Sequence, residues 1–204
     1  MKYLLSIMLI TLIGCTSQRE KIVKDPSKVN PKAVGEVVDS VNLRNLKGED
    51  ITSKEIFSKK PTVLVVYRGG WCPYCNRQLA RLRKITTQIE DKGYQLIAVS
   101  PDKPESMQDS IEKNKITEYK LYSDSKLNLA KEMGLAFKVD ENTITAYEEY
   151  GIDLVEASGE NHYSLPVPAV YIIDRNGEVQ YRFYEPNYKV RLEENKLLKE
   201  LDKL

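Results

Sequence analysis

Cys72 and Cys75 are the side chains of this 204-residue chain best suited to redox chemistry, because only two residues separate them. They follow a β-branched and aromatic run, residues 62–67, which is typical of a buried strand. Cys72 stands where a helix is predicted to begin, and the unpaired N–H groups of a helix N-terminus stabilise a thiolate. Cys75 follows one turn later, within reach of a disulfide. The pair therefore predicts a reactive thiolate and a resolving thiol.

The dithiol leaves three alternatives to redox chemistry open: two unreactive structural cysteines, a permanent structural disulfide, and a metal site. A zinc site needs two further nitrogen or sulfur ligands, and His162, the single histidine, is the one remaining candidate. We therefore predict no zinc site. Copper(I) suits two thiolates and an imidazole, so Cys72, Cys75 and His162 leave a non-enzymatic, copper-binding role open.

The third cysteine, Cys15, ends an apolar N-terminal run over residues 3–13. A helix of that length spans about 16 Å, short of the roughly 30 Å hydrocarbon core, so the run is typical of a signal peptide. The string Leu12-Ile13-Gly14-Cys15 resembles the lipobox of bacterial lipoproteins. That resemblance implies a signal peptide over residues 1–14, a lipid on Cys15, and a domain anchored to a membrane of the bacterial cell envelope.

Composition limits the rest of the chain to one globular domain with an N-terminal extension. With 31 basic and 30 acidic residues the formal net charge is +1, which gives no basis for nucleic-acid binding. Hydrophobic residues make up 41% of the chain, as in globular proteins, and three cysteines are too few for a disulfide-rich scaffold. Residues 15–35 are polar and rich in lysine, which predicts a flexible tether. Residues 36–204 should form the domain.

Hydrophobic periodicity predicts strands and helices that alternate around the dithiol. The predicted strands are 36–43, 62–67, 94–100, 119–122, 169–174 and 178–184, the last two joined by a hairpin turn at Arg175-Asn176-Gly177. The predicted helices are a short piece ending near Phe57, 73–91, 104–114, a helix capped by Asp124 or Ser125, 141–150 and 190–204. Residues 151–165 should form an irregular insert. This order predicts an α/β fold with a mixed sheet and helices on both faces.

The string Trp71-Cys72-Pro73-Tyr74-Cys75, between a buried strand and a helix, resembles the redox motif of the thioredoxin superfamily. A wider string starts at Tyr67-Arg68-Gly69-Gly70 and ends at Asn76. Together with Leu165-Pro166-Val167-Pro168-Ala169, it resembles the peroxiredoxin-like branch of the AhpC/TSA (alkyl hydroperoxide reductase/thiol-specific antioxidant) family. The resemblance covers about residues 36–204. It implies a thioredoxin-like fold with an insert before the strand that follows Pro168.

The same resemblance implies roles for the residues around the dithiol. Trp71, Pro73 and Tyr74 should shape the site. Pro168 matches the family's cis-proline, which faces the dithiol and should leave the Val167 backbone free to pair with a substrate chain. No bound cofactor is implied, because another dithiol protein supplies the electrons.

Two enzymatic activities are compatible with the motif. In a disulfide reductase, the Cys72 thiolate attacks a protein disulfide and Cys75 resolves the mixed disulfide. In a thiol peroxidase, one cysteine attacks a peroxide, and its partner then forms a disulfide with the resulting sulfenic acid. On the peroxiredoxin pattern, Cys75 takes the attacking position and Cys72 replaces the family's threonine.

The sequence departs from the peroxiredoxin pattern at several positions, and these departures favour a disulfide reductase over a thiol peroxidase. The family's proline before that threonine is missing, and Val167-Pro168 stands where its late-strand arginine is expected. Arg68 or Arg182 could supply a cation to the site instead. We therefore expect a disulfide reductase first, a thiol peroxidase second, and a copper chaperone resembling the Sco type third.

Overall fold

The computed structural model of the chain describes residues 22–114 and 116–204. Cys15 and the expected signal peptide lie outside these ranges, so lipidation and the membrane anchor stay predictions. Among the described residues, no helix combines the length and the apolar character needed to span a bilayer.

Within the described residues, nine strands and eight α-helices alternate along most of the chain. The strands are β1 (Asn42–Arg44), β2 (Asp50–Thr52), β3 (Thr62–Val66), β4 (Gln95–Ser100), β5 (Lys120–Ser123), β6 (Ala136–Lys138), β7 (Ser164–Pro166), β8 (Ala169–Ile173) and β9 (Val179–Tyr184). The helices are α1 (Ser53–Phe57), α2 (Pro73–Arg83), α3 (Thr86–Asp91), α4 (Pro104–Asn114), α5 (Asn128–Glu132), α6 (Glu141–Glu149), α7 (Leu154–Ser158) and α8 (Glu194–Leu201). A turn of 3-10 helix, Pro26–Lys28, precedes them.

Seven of these described strands form one sheet in the order β2-β1-β5-β4-β3-β8-β9, and β6 pairs with β7 separately. β3, β4 and β5 run parallel, whereas β8 is antiparallel to β3, so the sheet is mixed as predicted. β3 is buried along its whole length, as its β-branched sequence predicts. Because α2 follows the carboxyl end of β3, the dithiol lies at the end of an interior strand.

The two faces of the sheet pack against different helices. Side chains of β3 alternate between the faces, with Val63 on one side and Leu64 on the other. The Val63 face packs against α2, α3, α4 and α8. The Leu64 face packs against α1 and α5. The expected α/β architecture with helices on both faces is therefore confirmed.

Residues 73–91, predicted as one helix, form two. α2 ends at Arg83 and α3 begins at Thr86, with Ile85 at φ −111° and ψ 6° between them. The run Ile85-Thr86-Thr87 is β-branched, and branching at Cβ restricts side-chain rotamers in a helix. The break therefore falls where helix propensity is lowest.

Other boundaries also differ from the sequence prediction. The strand predicted over 36–43 is confined to β1, while Val37 forms an isolated bridge with Glu178. The C-terminal helix predicted over 190–204 is confined to α8, and residues 185–193 form an irregular segment before it. The insert predicted over 151–165 is not wholly irregular, because it contains α7 and most of β7. The Asp153 side chain caps α7.

The flexible tether predicted over 15–35 is wrong for residues 31–35, which pack against the domain. Lys32 is 4% exposed, donates its backbone N–H to Met133 O at 3.0 Å and forms an ion pair with Glu132 at 2.5 Å. Arg182 donates to the carbonyl oxygens of Pro31 and Lys32 at 2.5 and 2.9 Å. A lysine can be buried here because a carboxylate pairs with its charge.

Gly134→Ala should destabilise the domain by displacing this N-terminal segment. Gly134 has φ +66°, and an added Cβ would lie 2.0 Å from the Asn30 carbonyl oxygen. In urea unfolding we expect a loss of about 2–3 kcal/mol of unfolding free energy. Gly93→Ala is the matched control, because Gly93 has φ +87° but no atom within 4 Å of an added Cβ. Equal losses in the two variants would contradict the close packing at Asn30.

Candidate active site

Cys72 occupies the N-cap position of α2, and Pro73 takes the first helical position, where its missing N–H costs nothing. The Cys72 N–H donates to Gly69 O at 3.1 Å, which fixes the loop that enters the helix. Cys72 and Cys75 are free thiols, and their exposed fractions are only 1% and 0%. The site is a reduced dithiol covered by protein.

The pKa values of the two thiols are shifted in opposite directions. The side chain of Cys75 donates to the Cys72 sulfur, as does the Cys75 backbone N–H, and the charges of Arg68 and Arg191 add to the effect. Against the cost of burial, these contacts lower the pKa of Cys72 to about 6. Burial and the bond to Cys72 raise the pKa of Cys75 well above its usual value. Cys72 therefore carries the thiolate, and Cys75 keeps its proton.

Arg68, expected from the sequence as a possible cation near the site, is 4% exposed and lies beside the dithiol. Its guanidinium stacks on the rings of Trp71, Tyr147 and Tyr188 at 5.1, 5.5 and 4.1 Å, and it donates to the Tyr147 hydroxyl. No carboxylate pairs with Arg68 among the ion pairs between described residues. The buried positive charge of Arg68 contributes to lowering the pKa of Cys72.

Arg191 is the functional residue that the sequence analysis missed. Its Nη2 lies 3.5 Å from Cys75 Sγ, and its Nη1 donates to Val190 O at 2.9 Å. The irregular segment 185–193 carries it there, whereas the sequence predicted that Arg191 lies in a helix. Arg182, the other candidate cation, instead holds the N-terminal segment through Pro31 and Lys32.

Asp102, a second residue that the sequence analysis missed, lies beneath the dithiol loop. Its Oδ2 accepts the Gly70 N–H at 2.7 Å, and its carboxylate also accepts from the Trp71 side chain. Burial raises the pKa of Asp102 to about 7. Gly70 is required here, because an added Cβ would lie 1.6 Å from Ser110 Oγ. Asp102 thus positions the two residues that precede Cys72.

Trp71 and Tyr74, which the sequence suggests as residues that shape the site, pack against the core cluster that contains both cysteines. Trp71 packs against Tyr147 of α6 with ring centroids 5.4 Å apart, so α6 contributes to the site. Tyr74 packs edge-on against Tyr188 at 5.6 Å. These contacts connect the dithiol motif to α6 and to segment 185–193.

The cis-proline expected at Pro168 is wrong, because the described residues contain no cis peptide bond. The Val167 backbone is not free for a substrate either. Its N–H donates to Leu135 O at 2.9 Å, and Val167 is buried between β7 and β8. The protein's own chain thus occupies the position that the family resemblance left to a substrate strand.

His162 is half-buried and engaged at both ring nitrogens. Nε2 lies 2.8 Å from Ser125 O, and Nδ1 accepts the Ser164 N–H at 3.0 Å. Burial lowers the pKa of the imidazole. Among the described residues, no three His, Cys, Asp or Glu side chains are grouped to hold a metal ion. The structure therefore does not join His162 to the two thiols.

A thiolate hydrogen-bonded to a protonated thiol can exchange two electrons as a disulfide forms or breaks. The chain is a thiol-dependent oxidoreductase. It belongs to the AhpC/TSA family, whose family model matches residues 34–182.

Relatives carry the names of both enzymatic classes. "Putative peroxiredoxin bcp" of Helicobacter pylori (strain J99) is 26% identical over 168 residues, 82% of this chain and 97% of that protein. Thiol-disulfide oxidoreductase ResA of Halalkalibacterium halodurans is 26% identical over 146 residues, 71% of this chain and 65% of that protein. Reduced Prx3 from Vibrio vulnificus has a TM-score of 0.68 at 20% identity, covering 84% of this chain and 99% of its own. The expected thioredoxin-like fold, in the form found in peroxiredoxins, is confirmed.

As the pH is raised, the ultraviolet absorbance of the reduced protein should increase because Cys72 becomes a thiolate. The midpoint should lie near pH 6, because the Cys72 pKa is lowered to about 6. Cys72→Ser should lose this transition. The unfolded thiol has a pKa near 9, so the stabilisation from the Cys72 thiolate is complete above pH 9, decreases as the pH falls from 9 to 6, and is absent below pH 6. Unfolding free energies of the wild type and Cys72→Ser should therefore diverge across that range. Parallel curves would contradict the assignment of the thiolate to Cys72.

Proposed function

We propose that this protein is a thiol peroxidase in which the Cys72 thiolate reduces hydroperoxides and Cys75 resolves the product. The observation that carries the proposal is the burial of both sulfurs beside two guanidinium groups, those of Arg68 and Arg191. From the sequence alone, disulfide reduction came first. The burial of the dithiol and the bond from the Val167 N–H to Leu135 O support placing peroxide reduction first.

The burial of the sulfurs favours a small oxidant. In the reduced state Cys72 is only 1% exposed, so a protein disulfide has little room to bring its own sulfur into line with the thiolate. The donor protein, in contrast, reacts with the oxidised state. A hydroperoxide presents an O–O bond and needs far less room. A protein substrate would also gain from strand pairing near the dithiol, but the Val167 N–H is already bonded to Leu135 O.

The two guanidinium groups supply positive charge where peroxide reduction develops negative charge. As the thiolate attacks one peroxide oxygen, the other oxygen leaves with the electron pair of the broken bond. Arg191 lies 3.5 Å from Cys75 Sγ, and the charges of Arg68 and Arg191 both act on Cys72. Buried cations stabilise such a developing oxyanion more than cations in water do.

The proposed reaction balances over three steps. The Cys72 thiolate forms an S–O bond as the O–O bond breaks, and the leaving oxygen takes a proton to become an alcohol or water. Cys75 then attacks the sulfenic sulfur, an S–S bond forms and water leaves. A dithiol donor protein returns two electrons and two protons, which restores both thiols.

Disulfide reduction is the second candidate function. The lowered pKa of Cys72 at a helix N-cap supports it, since an attacking thiolate is what disulfide exchange requires. The similarity to ResA supports it as well. In this alternative the same two cysteines act in the same order, and only the oxidant differs.

We also propose that the protein acts in the bacterial cell envelope, held to a membrane by a lipid on Cys15. The lipobox-like string Leu12-Ile13-Gly14-Cys15 supports this location. Intact-mass analysis of protein expressed in bacterial cells should find the leader removed and acyl chains on Cys15. An unmodified Cys15 would reject the anchor and leave the proposed chemistry unaffected.

Cys72→Ser should abolish hydrogen peroxide consumption, because it removes the attacking thiolate. Cys75→Ser should still oxidise once but accumulate a sulfenic acid, which a dimedone probe detects on Cys72. Insulin-disulfide reduction, measured beside it with the same variants, should be slow in the wild type. Fast insulin reduction with no peroxide turnover would favour the second candidate. Turnover that depends on Cys75 more than on Cys72 would contradict the assigned nucleophile.

Arg191→Gln should slow the oxidation step, because it removes a cation from the reacting sulfurs. We expect the second-order rate constant with hydrogen peroxide to fall about 10- to 100-fold in single-turnover experiments. Lys189→Gln is the control on the same segment, since its side chain is exposed and contacts neither sulfur. An equal loss in both variants would show that the effect is not specific to Arg191.

A further inference from the structure

A cationic cleft opens beside the dithiol, between α2 and segment 185–193. It encloses a cavity of about 210 Å³, with Tyr74 and Val190 among its lining residues. Its charged lining consists of Arg77, Arg81, Lys189, Arg191 and Glu193. Because the whole chain carries a formal net charge of only +1, this is a local concentration of positive charge.

Most of the positive charge in the cleft is uncompensated. Arg81 is paired with Glu194 at 2.7 Å, but no ion pair between described residues includes Arg77, Lys189 or Arg191. The Nε of Arg191 is buried and has no hydrogen-bond partner in the described part of the chain. The cleft thus retains the capacity to bind an anion.

Arg191 belongs both to the cleft and to the dithiol, so the charge of the cleft depends on the redox state. In the reduced protein Arg191 Nη2 lies 3.5 Å from Cys75 Sγ, and its charge also acts on the Cys72 thiolate. Formation of a Cys72–Cys75 disulfide replaces that thiolate with a neutral bond. Arg191 then loses its anionic neighbour, and the cleft attracts negative charge more strongly in the oxidised state.

We propose that this cleft docks an acidic segment of the dithiol donor protein that reduces the Cys72–Cys75 disulfide. The exposed cations Arg77 and Lys189 would meet carboxylates of the donor, and the exposed side chains of Tyr188 and Val190 would meet its apolar groups. The preference for the oxidised state explains why the docked partner is the electron donor. A peroxide, by contrast, reacts with the reduced state.

The exchange follows ordinary thiol–disulfide chemistry. A donor thiolate attacks one sulfur of the disulfide, which forms a mixed disulfide and releases the other sulfur as a thiolate that takes a proton. The second donor thiol then attacks the mixed disulfide. The donor leaves as a disulfide, having transferred two electrons, and both cysteines are thiols again.

Charge-matched dithiol peptides test this docking surface directly. Two synthetic peptides should share one Cys-x-x-Cys core and differ only in flanking residues, Glu in one and Gln in the other. The full chain is oxidised with diamide, and its reduction is followed by thiol labelling and mass spectrometry. At low ionic strength we expect the Glu peptide to reduce the wild type about tenfold faster than the Gln peptide, and salt should remove the difference.

Charge-reversal variants test whether the preference for the Glu peptide depends on the cleft. Arg77→Glu and Lys189→Glu should each remove the preference for the Glu peptide. Arg175→Glu and Lys59→Glu are the matched controls, because both residues are exposed at the opposite end of the sheet, and they should keep the preference. Dithiothreitol, which has no charged flanking residues to dock in the cleft, should reduce all five proteins at similar rates, which shows that the disulfide stays accessible.

Three outcomes would overturn the proposal. The wild type could show no preference between the peptides, or the control variants could lose it as well. The cleft variants could instead alter the rate of oxidation by peroxide while reduction stays unchanged, which would assign the cleft to the oxidising substrate. The inference rests on the proposed function in one respect only: the protein must form a Cys72–Cys75 disulfide. Since diamide forms that disulfide, loss of peroxidase activity and loss of docking are measured separately.

Discussion

A thiolate buried in protein is stable only where hydrogen-bond donors and positive charge surround it, and much of this structure meets that requirement at Cys72. The cysteine occupies the N-cap position of α2, and the Cys75 backbone N–H in the first turn of the helix contributes to lowering its pKa. Cys75 donates its thiol proton from one turn further on. Arg68 and Arg191 supply the charge. The asymmetry between the two thiols follows, because one of them serves as a hydrogen-bond donor to the other.

The groups that meet this requirement come from distant parts of the chain. Arg68 and Asp102 follow the carboxyl ends of the parallel strands β3 and β4, where ligands and reacting groups commonly gather in α/β folds. Tyr147 comes from α6, and Arg191 comes from the segment before α8. The irregular backbone of residues 185–193 brings Arg191 to Cys75 at a position that the sequence predicted to be helical.

Local patterns made much of the fold predictable, and the dithiol with it. The β-branched run of β3, the Asn176-Gly177 turn and the proline at the start of α2 each determine a backbone conformation through neighbouring residues alone. Arg191 and Asp102 carry no comparable signal, because their roles depend on contacts across more than 30 positions. The error at Pro168 has a different origin: a family feature was transferred to a chain whose Val167 N–H bonds to Leu135 O.

Trp71 is the single tryptophan of the chain, and its indole lies in the covering of the dithiol. Its ring centroid is 5.1 Å from the Arg68 guanidinium, its side chain bonds to Asp102, and Cys72 is the next residue. Thiols, disulfides and cations close to an indole alter its emission. The tryptophan fluorescence of the protein therefore originates beside the reacting sulfurs, which gives the native chain an optical signal for each half of its redox cycle without an attached dye.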